Sequence, residues 1–254
     1  MIFDFLTSIF FPHTCAACRA FVRTGALCDR CRATIALSRT LFCGQCDAAL
    51  APHPGPAGCG ASTDAIPKSA CHPMHPFLLG AAGNYETPAL RALVHRLKFR
   101  GIAGAAEPLA TLLITYAKPF MECFRGAAVI PIPLSAARLR SRGFNQSALI
   151  AERFAAPFGL MVTGTCLVRT RHAKPQSETK TLAEREANIR GCFAVRGAER
   201  IRGATIILID DVTTSGATFL EAARALKQAG AGSILAVAAA KTHRGTIPSW
   251  HRSP

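Results

Sequence analysis

No apolar run in this 254-residue sequence approaches the length of a membrane span. The N-terminal stretch MIFDFLTSIFFP is apolar, but it is short, has no basic start and contains Asp4, so we expect no signal peptide. Hydrophobic residues make up 50% of the chain and charged residues only 18%, which is typical of a globular protein and argues against disorder. We therefore expect a folded, cytoplasmic protein without an integral membrane segment.

Acidic residues are scarce. The chain has 15 Asp+Glu against 30 Lys+Arg, and its pI is near 9.9. An excess of this size favours polyanionic partners such as nucleic acid, phosphates or an anionic membrane surface, while a diffuse basic surface with no specific partner is the alternative. Aromatic residues are also few, at 7% with a single tryptophan, Trp250, so any binding of nucleic acid should be mainly electrostatic.

The chain divides into two regions of different composition. Residues 1–75 are rich in Cys, Pro, Gly and His and contain no long periodic segment, whereas residues 76–254 alternate short apolar runs with helical patterns, as in an α/β domain. The most pronounced strand pattern is TIILID, which is apolar on both faces like a central parallel strand. The helical pattern GATFLEAARALKQAG and the buried strand pattern SILAVAAA follow it, and this order predicts a right-handed parallel crossover.

The first region holds three Cys-x-x-Cys pairs in quick succession. An odd total of 11 cysteines with this spacing indicates metal binding in a reducing compartment rather than a disulfide framework. Four thiolates around Zn²⁺ would stabilise a segment that is too poor in apolar periodicity to fold unaided. The spacing does not say whether the pairs combine sequentially or interleave. The pairs are Cys15 with Cys18, Cys28 with Cys31, and Cys43 with Cys46.

The strand pattern TIILID ends at the first of two adjacent acids, Asp210 and Asp211. A hydroxyl-rich loop follows them in the stretch IDDVTTSGAT. In a parallel sheet the ligand crevice lies beyond the carboxyl ends of the strands, and small residues before a helix let backbone N–H groups bind a phosphate. Asp210 and Asp211 would repel that phosphate, so we expect them to serve vicinal sugar hydroxyls or a bound Mg²⁺. These features together describe a site for a phosphorylated ribose. The alternative is a polar strand end followed by an ordinary helix cap.

Two basic segments precede this stretch. VIPIPLSAARLRSRGFNQ carries Arg138, Arg140 and Arg142 and follows an apolar strand, so it begins at the carboxyl edge of the sheet. Arginine suits forked recognition of phosphate oxygens, as a pyrophosphate group would require, but a solvated basic helix is an equal alternative. The long polar segment RTRHAKPQSETKTLAEREANIRGCF is expected to be a lid or a disordered loop.

The stretch IDDVTTSGAT closely resembles the phosphoribosyl-pyrophosphate (PRPP) binding motif of type I phosphoribosyltransferases. The resemblance implies their α/β fold, a parallel sheet flanked by helices, with the acidic pair contacting the ribose hydroxyls and the loop cradling the 5′-phosphate. Thr214 stands where some purine-base enzymes have an aspartate, which does not favour purine salvage. The implied catalytic residues are Asp210, Asp211 and Arg142. The implied PRPP-binding residues are Pro131, Arg138, Asp210, Asp211, Val212, Thr213, Thr214, Ser215, Gly216, Ala217 and Thr218.

Four motifs in order resemble the ComF family of competence-associated phosphoribosyltransferase-like proteins. They are HRLKFRG, PIPLSAARLRSRGFNQ, RTRHAKPQ…ER…N…GCF and the stretch IDDVTTSGAT. This implies PRPP binding with Mg²⁺, handling of single-stranded DNA during uptake, and DNA-uptake or replication-restart proteins as partners. It also implies a double zinc ribbon, whose second site would use Cys43, Cys46, Cys59 and Cys71, could recruit His72 or His75, or could be degenerate. Further residues at the family's motif positions are Lys98, Asn145, Gln146, Arg171, Gln176, Arg185 and Asn188.

Three functions remain open on this basis. An active phosphoribosyltransferase, for example in nucleotide metabolism, would let a nucleophile attack C1′ of PRPP as pyrophosphate departs, with catalysis by positioning and charge stabilisation. A nucleic-acid-handling protein would show salt-dependent binding with little sequence preference. A PRPP sensor would bind without turnover. No residue identifies itself as a general base, so the acceptor of a transfer does not follow from the sequence.

Overall fold

The computed structural model describes residues 14–23, 25–43, 49–52, 77–99, 103–170 and 189–242. In these ranges the chain forms a mostly parallel β-sheet covered by helices on both faces, together with a small antiparallel sheet. The α/β fold predicted from the alternating patterns is therefore confirmed. Within the same ranges, no helix has the length and apolar character needed to cross a membrane.

The strands build two sheets. They are, in chain order, β1 (Thr40–Cys43), β2 (Ala49–Pro52), β3 (Leu78–Asn84), β4 (Ala128–Pro131), β5 (Met161–Val162), β6 (Leu167–Arg169), β7 (Phe193–Val195), β8 (Ile206–Thr213) and β9 (Ile234–Lys241). The main sheet has the order β2-β1-β3-β9-β8-β4-β5, and β6 pairs with β7 in the second sheet. The five strands from β3 to β5 in this order are parallel, while β1 and β2 are antiparallel additions at one edge.

Six α-helices accompany these strands in the described part of the chain. They are α1 (Asp29–Ala33), α2 (Pro88–Phe99), α3 (Ala106–Ala117), α4 (Ala136–Arg142), α5 (Gln146–Ala155) and α6 (Ala217–Gln228). In α2 an apolar stripe of Leu90, Leu93, Val94 and Leu97 is buried, as its i, i+3, i+4, i+7 spacing requires. The stripe packs into one core cluster with α3 and α5, whereas α6 covers the opposite face of the sheet.

The central strand β8 is buried on both faces. Ile207 and Ile209 belong to the core cluster of α2, α3 and α5, whereas Ile206 and Leu208 belong to the cluster of α6. This arrangement confirms the interpretation of TIILID as a central parallel strand. The strand is longer than predicted, however, because its ladder with β9 continues to Thr213. The acidic pair, which the sequence places at the end of this strand, is consequently held within its hydrogen-bonded ladder.

Part of the cysteine-rich region belongs to the main sheet. β1 pairs with β3 through Leu41 and Gly80, and the Tyr116 hydroxyl of α3 donates to the Thr40 carbonyl at 3.0 Å. Gly80 permits this approach, because a Cβ there would lie 2.8 Å from the Tyr116 hydroxyl oxygen. The division into residues 1–75 and 76–254 stays a prediction, since residues 53–76 lie outside the described part of the chain.

Candidate phosphoribose site

Two adjacent carboxylates, those of Asp210 and Asp211, lie at the carboxyl end of β8. Asp210 Oδ1 accepts a hydrogen bond from Ser147 Oγ at 2.8 Å and another from the Asp211 backbone N–H at 2.8 Å. Asp211 Oδ1 lies 2.9 Å from Lys98 Nζ, and the side chains of Asp211 and Lys98 are only 6% and 26% exposed. Side chains from α2 and α5 therefore hold the acidic pair in place.

The close packing of these charges changes their protonation. Burial, followed by the charge of Asp211, raises the pKa of Asp210 to about 7, although Lys98 and the two hydrogen bonds oppose the shift. Burial alone would lower the pKa of Lys98, but the charges of Asp211 and Asp210 outweigh burial and raise that pKa. Asp210 thus exchanges its proton near neutral pH, beside an ammonium group that stays charged.

Protonation of Asp210 should make folding stability depend on pH. Because the folded protein binds this proton up to about pH 7, whereas an ordinary aspartate releases it near pH 3.9, stability should fall as the pH rises through this window. Between about pH 5 and about pH 8 the loss due to Asp210 should exceed ~1 kcal/mol, since one unit of pKa shift is worth about 1.4 kcal/mol. Urea unfolding of the wild type and of Asp210→Asn at both pH values measures it. Equal pH dependence in the two proteins would contradict the prediction.

The chain passes from β8 into α6 through the turn at residues 214–216. Gly216 precedes α6 with a φ of 76°, a left-handed conformation that glycine adopts without strain. Ser215 Oγ and Asp211 Oδ2 are buried and find no hydrogen-bond partner among the described residues. The same holds for Gln146 Nε2 at the start of α5. Because buried polar atoms normally have a partner, these atoms fit a polar ligand at the junction of strand and helix.

Arg142 lies within electrostatic range of the acidic pair. Its guanidinium carbon lies 5.9 Å from the centre of the Phe99 ring, at the end of α2 that carries Lys98. Burial lowers the pKa of Arg142, and the charges of Asp211 and Asp210 act in the opposite direction. The basic segment is therefore not simply a solvated helix, since one of its arginines lies in the field of the two carboxylates.

Pro131 and Arg138 lie beside this site. Pro131 ends β4 and pairs in register with Ile209 of β8, one residue before the acidic pair. Arg138 lies in the first turn of α4, where its backbone N–H donates to Ser135 Oγ at 3.4 Å. The positive charge of Arg138 further lowers the pKa of Arg142, so the two guanidinium groups are electrostatic neighbours.

The Asn145 side chain links the residue after β4 to the start of α5 by two hydrogen bonds. Its Nδ2 donates to the Ile132 carbonyl at 3.0 Å, and its Oδ1 accepts from the Ser147 backbone N–H at 3.1 Å. The second bond is a helix cap, and it orients the first turn of α5 toward β8. Asn145 thereby positions the Ser147 hydroxyl that donates to Asp210.

Comparisons with known proteins agree with this geometry. A family model described as the phosphoribosyl transferase domain matches residues 140–251. The DNA utilization protein YhgH of Salmonella typhi is 30% identical over 220 residues, which cover 82% of this chain and 93% of that protein. The competence protein ComFC of Bacillus subtilis is 32% identical over 143 residues, or 56% of this chain and 55% of that protein. The chain belongs to the ComF family.

Competence protein F of Haemophilus influenzae extends this similarity, with 24% identity over 215 residues covering 82% of this chain and 93% of that protein. The ComF family membership confirms the resemblance drawn from the ordered motifs. The match to the phosphoribosyl transferase domain includes α5, β8 and α6 and therefore most of the site described above.

A second site of this ComF-family chain is a group of four cysteines that could hold a metal ion. Their sulfur atoms all lie within 4.8 Å of one another, and Cys18 Sγ lies 3.7 Å from Cys28 Sγ. A tetrahedral ion with Zn–S bonds of about 2.3 Å places its sulfurs about 3.8 Å apart, so the group fits such an ion. The first two Cys-x-x-Cys pairs thus combine with each other. The group consists of Cys15, Cys18, Cys28 and Cys31.

Several predicted site residues cannot be placed. Cys43 lies in β1, but its side chain and the other three cysteines of the second metal site lie outside the described part of the structure, so that site stays a prediction. Those three cysteines are Cys46, Cys59 and Cys71. Four residues at the family's motif positions also lie outside the described ranges, namely Arg171, Gln176, Arg185 and Asn188.

Sequence reasoning missed two residues beside the acids. Ser147 is 63 positions from Asp210, and only its place at the start of a helix near the sheet edge could have suggested the contact. Arg169, in β6, has its guanidinium carbon 5.5 Å from the centre of the Phe193 ring and a buried Nε without a partner among the described residues. Burial, followed by the charge of Arg138, lowers the pKa of Arg169, while Cys192 and the charge of Asp210 act in the opposite direction.

Proposed function

We propose that the chain binds PRPP with Mg²⁺ at the carboxyl end of β8 and acts in the cytoplasm in DNA uptake. The observation that carries the proposal is a pair of buried polar atoms, Asp211 Oδ2 and Ser215 Oγ, that have no hydrogen-bond partner within the described part of the chain. They lie at the acidic pair and in the turn before the helix that begins after Gly216. An acidic strand end alone would serve as a cap. The unpartnered atoms favour a polar ligand instead.

PRPP would meet complementary chemistry along this edge. The backbone N–H groups at the start of α6, with the hydroxyls of Thr214, Ser215 and Thr218, suit the 5′-phosphate. The ribose hydroxyls suit Asp210 and Asp211. Because Lys98 balances part of their charge, the acids need not repel the phosphate strongly.

The pyrophosphate group would lie toward the arginines. Arg142 and Arg138 are electrostatic neighbours, and Arg142 adjoins the acids. Mg²⁺ would neutralise pyrophosphate charge, and the Asp211 Oδ2 atom is a hard oxygen ligand of the kind that this ion prefers. In a transfer reaction the C1′–O bond would break as an acceptor bonds to C1′, and pyrophosphate would leave with the electron pair. The arginines would stabilise the charge that develops on it.

The role in DNA uptake rests on the relatives and on charge. Proteins similar to this chain are named for competence and for DNA utilization. A net charge of +15 suits a nucleic-acid partner. We further propose that the four-cysteine group binds structural Zn²⁺, because four thiolates at tetrahedral spacing are the donor set of such sites.

Calorimetric titration with PRPP and Mg²⁺ tests the proposed site. Asp210→Asn/Asp211→Asn should weaken binding at least about 100-fold, because two hydrogen bonds to charged groups are lost. The matched control is Glu122→Gln/Glu199→Gln, which removes two acids that are 73% and 76% exposed and that form no part of the site described above, and it should bind like the wild type. Failure of the folded wild type to bind PRPP would overturn the proposal, as would unchanged binding by the Asp variant.

The same samples distinguish turnover from sensing. Release of pyrophosphate on addition of a candidate acceptor would identify a phosphoribosyltransferase. Binding of PRPP without release of pyrophosphate, with any acceptor tried, would favour a PRPP sensor. Binding of single-stranded DNA, measured at two salt concentrations, tests the role in DNA uptake independently of PRPP.

A further inference from the structure

A basic pocket of about 400 Å³ lies between α2 and the cysteine segment, residues 14–23 and 25–35, which carries the four-cysteine group. Its charged lining consists of Arg19 from the cysteine segment and of Arg91 and Arg96 from α2. Its volume falls in the range of small-ligand sites. No part of the phosphoribose site described above lines this pocket.

The backbone of Arg19 is unusual. Arg19 has a φ of 67°, and among the described residues no other non-glycine residue has a positive φ. Glycine would adopt this conformation without strain, whereas an arginine is kept there against its steric preference. In this conformation the Arg19 backbone N–H donates to the Cys15 carbonyl at 3.1 Å and closes the turn of the first cysteine pair, while the Arg19 side chain is exposed in the pocket wall.

The pocket keeps a positive charge. Glu86 Oε2 lies 3.7 Å from the Arg91 guanidinium, but both side chains are more than half exposed, at 58% and 54%, so water screens the pair. Arg96 donates to Thr14 Oγ at 3.2 Å, which ties α2 to the cysteine segment. Among the described residues one exposed acid pairs with Arg91, so the exposed guanidinium groups of Arg19 and Arg91 make the pocket suited to an anion.

The remaining lining suits a planar ring. Ala16, Ala17 and Ala92 provide small apolar surfaces, while Tyr85 and His95 add ring systems. Phosphate-binding arginines around a small apolar floor with neighbouring rings are the combination that holds an unstacked nucleotide. A duplex keeps its bases stacked inside and would present only its backbone to so small a pocket.

We propose that this pocket binds one nucleotide of a single-stranded nucleic acid, with its phosphates at Arg19 and Arg91 and its base over the apolar floor. The inference rests on the proposed role in DNA uptake and deepens it by locating the contact. Ring contacts connect the pocket to the neighbourhood of the phosphoribose site. The His95 ring lies 4.8 Å from the Phe99 ring, and the Arg142 guanidinium carbon lies 5.9 Å from the centre of the Phe99 ring.

Fluorescence anisotropy with an oligothymidylate of about twelve nucleotides tests the pocket. Arg19→Ala/Arg91→Ala should weaken binding at least tenfold and reduce the slope of log K against log salt by about 1.4, since each lost phosphate contact on a single strand contributes about 0.7. Arg125→Ala/Arg200→Ala is the matched control, because it removes two arginines that are 81% and 70% exposed elsewhere, and it should change binding less than twofold. Binding of PRPP should stay unchanged in both variants.

A second variant separates binding from folding. Arg19→Gly removes the side chain while relieving the backbone strain, so it should be at least as stable as the wild type and still bind the oligonucleotide more weakly. An oligouridylate of the same length distinguishes RNA from DNA as the bound strand, and a duplex of that length should bind more weakly than either strand.

The outcomes separate the two proposals. Wild-type affinity in the pocket variants, or an equal loss in the control, would overturn the pocket while leaving the role in DNA uptake intact. No binding of any single strand by the wild type would overturn both. Preferred binding of the duplex would also exclude the pocket as a site for an unstacked nucleotide.

Discussion

Replacement of Lys98 by methionine is expected to lower the free energy of unfolding by about 3 kcal/mol, because removal of one partner leaves a buried charge uncompensated. Lys98 Nζ lies 2.9 Å from Asp211 Oδ1, and the Asp211 side chain is only 6% exposed. Methionine keeps most of the side-chain volume, so lost packing contributes little. Urea unfolding near neutral pH measures the effect, and the loss should be smaller at acidic pH, where a carboxylate can be neutralised by a proton.

A double-mutant cycle tests the physical reason for this loss. Asp211→Asn in the Lys98→Met background removes the uncompensated charge and should restore part of the stability. Lys118→Met is the matched control, since Lys118 is exposed, and it should change stability by less than about 0.5 kcal/mol. A coupling energy near zero between positions 98 and 211 would show that the ion pair does not hold the site together.

Loss of the proposed metal from the four-cysteine group is expected to have the larger effect. Cys28→Ser, or removal of the metal with a chelator, should lower the free energy of unfolding by at least about 5 kcal/mol or unfold residues 14–43 locally. The cysteine segment is not an isolated appendage, because Cys15, Val22, Leu27 and Ile35 are buried in the same core cluster as α2 and α3. Thermal unfolding and hydrogen exchange of these residues measure the loss.

The metal content of the same samples provides the control. Purified wild type should contain zinc in the four-cysteine group, and Cys28→Ser should contain about one equivalent less. Cys166→Ser alters a buried thiol, 2% exposed, that lies outside the group, so it should leave the zinc content unchanged. A wild type that folds without bound metal, or a Cys28→Ser protein with full stability and zinc, would contradict the prediction.

The candidate site illustrates which parts of a fold can be predicted from sequence. The proposed phosphate-binding part of the motif could be recognised because β8, the turn at 214–216 and α6 are contiguous in the chain. Backbone geometry brings their residues together whatever the rest of the protein does. The predicted end of β8 was three residues too early, because the last residue pairs of this strand depend on the partner strand β9 rather than on local propensity.

Contacts between distant segments could not be predicted in the same way. Ser147 reaches Asp210 only because α5 packs beside β8, and Lys98 reaches Asp211 only because the end of α2 lies close to the end of β8. Neither residue type indicates such a role by itself, since serines and lysines are common on exposed helices. The pocket at Arg19 likewise exists only where the cysteine segment meets α2.

By itself, the sequence determined the α/β class, the central strand, the acidic pair with its glycine turn, and the cysteine pairs as candidate metal ligands. These features are encoded by periodicity and by spacing over a few residues, where the covalent chain limits the geometry. Only the tertiary structure decided that β1 extends the main sheet, that the first two cysteine pairs form one group, and that Lys98 pairs with Asp211. Each of these depends on how separate elements pack around a shared core, and packing is set by many weak contacts acting together rather than by any local stretch of chain.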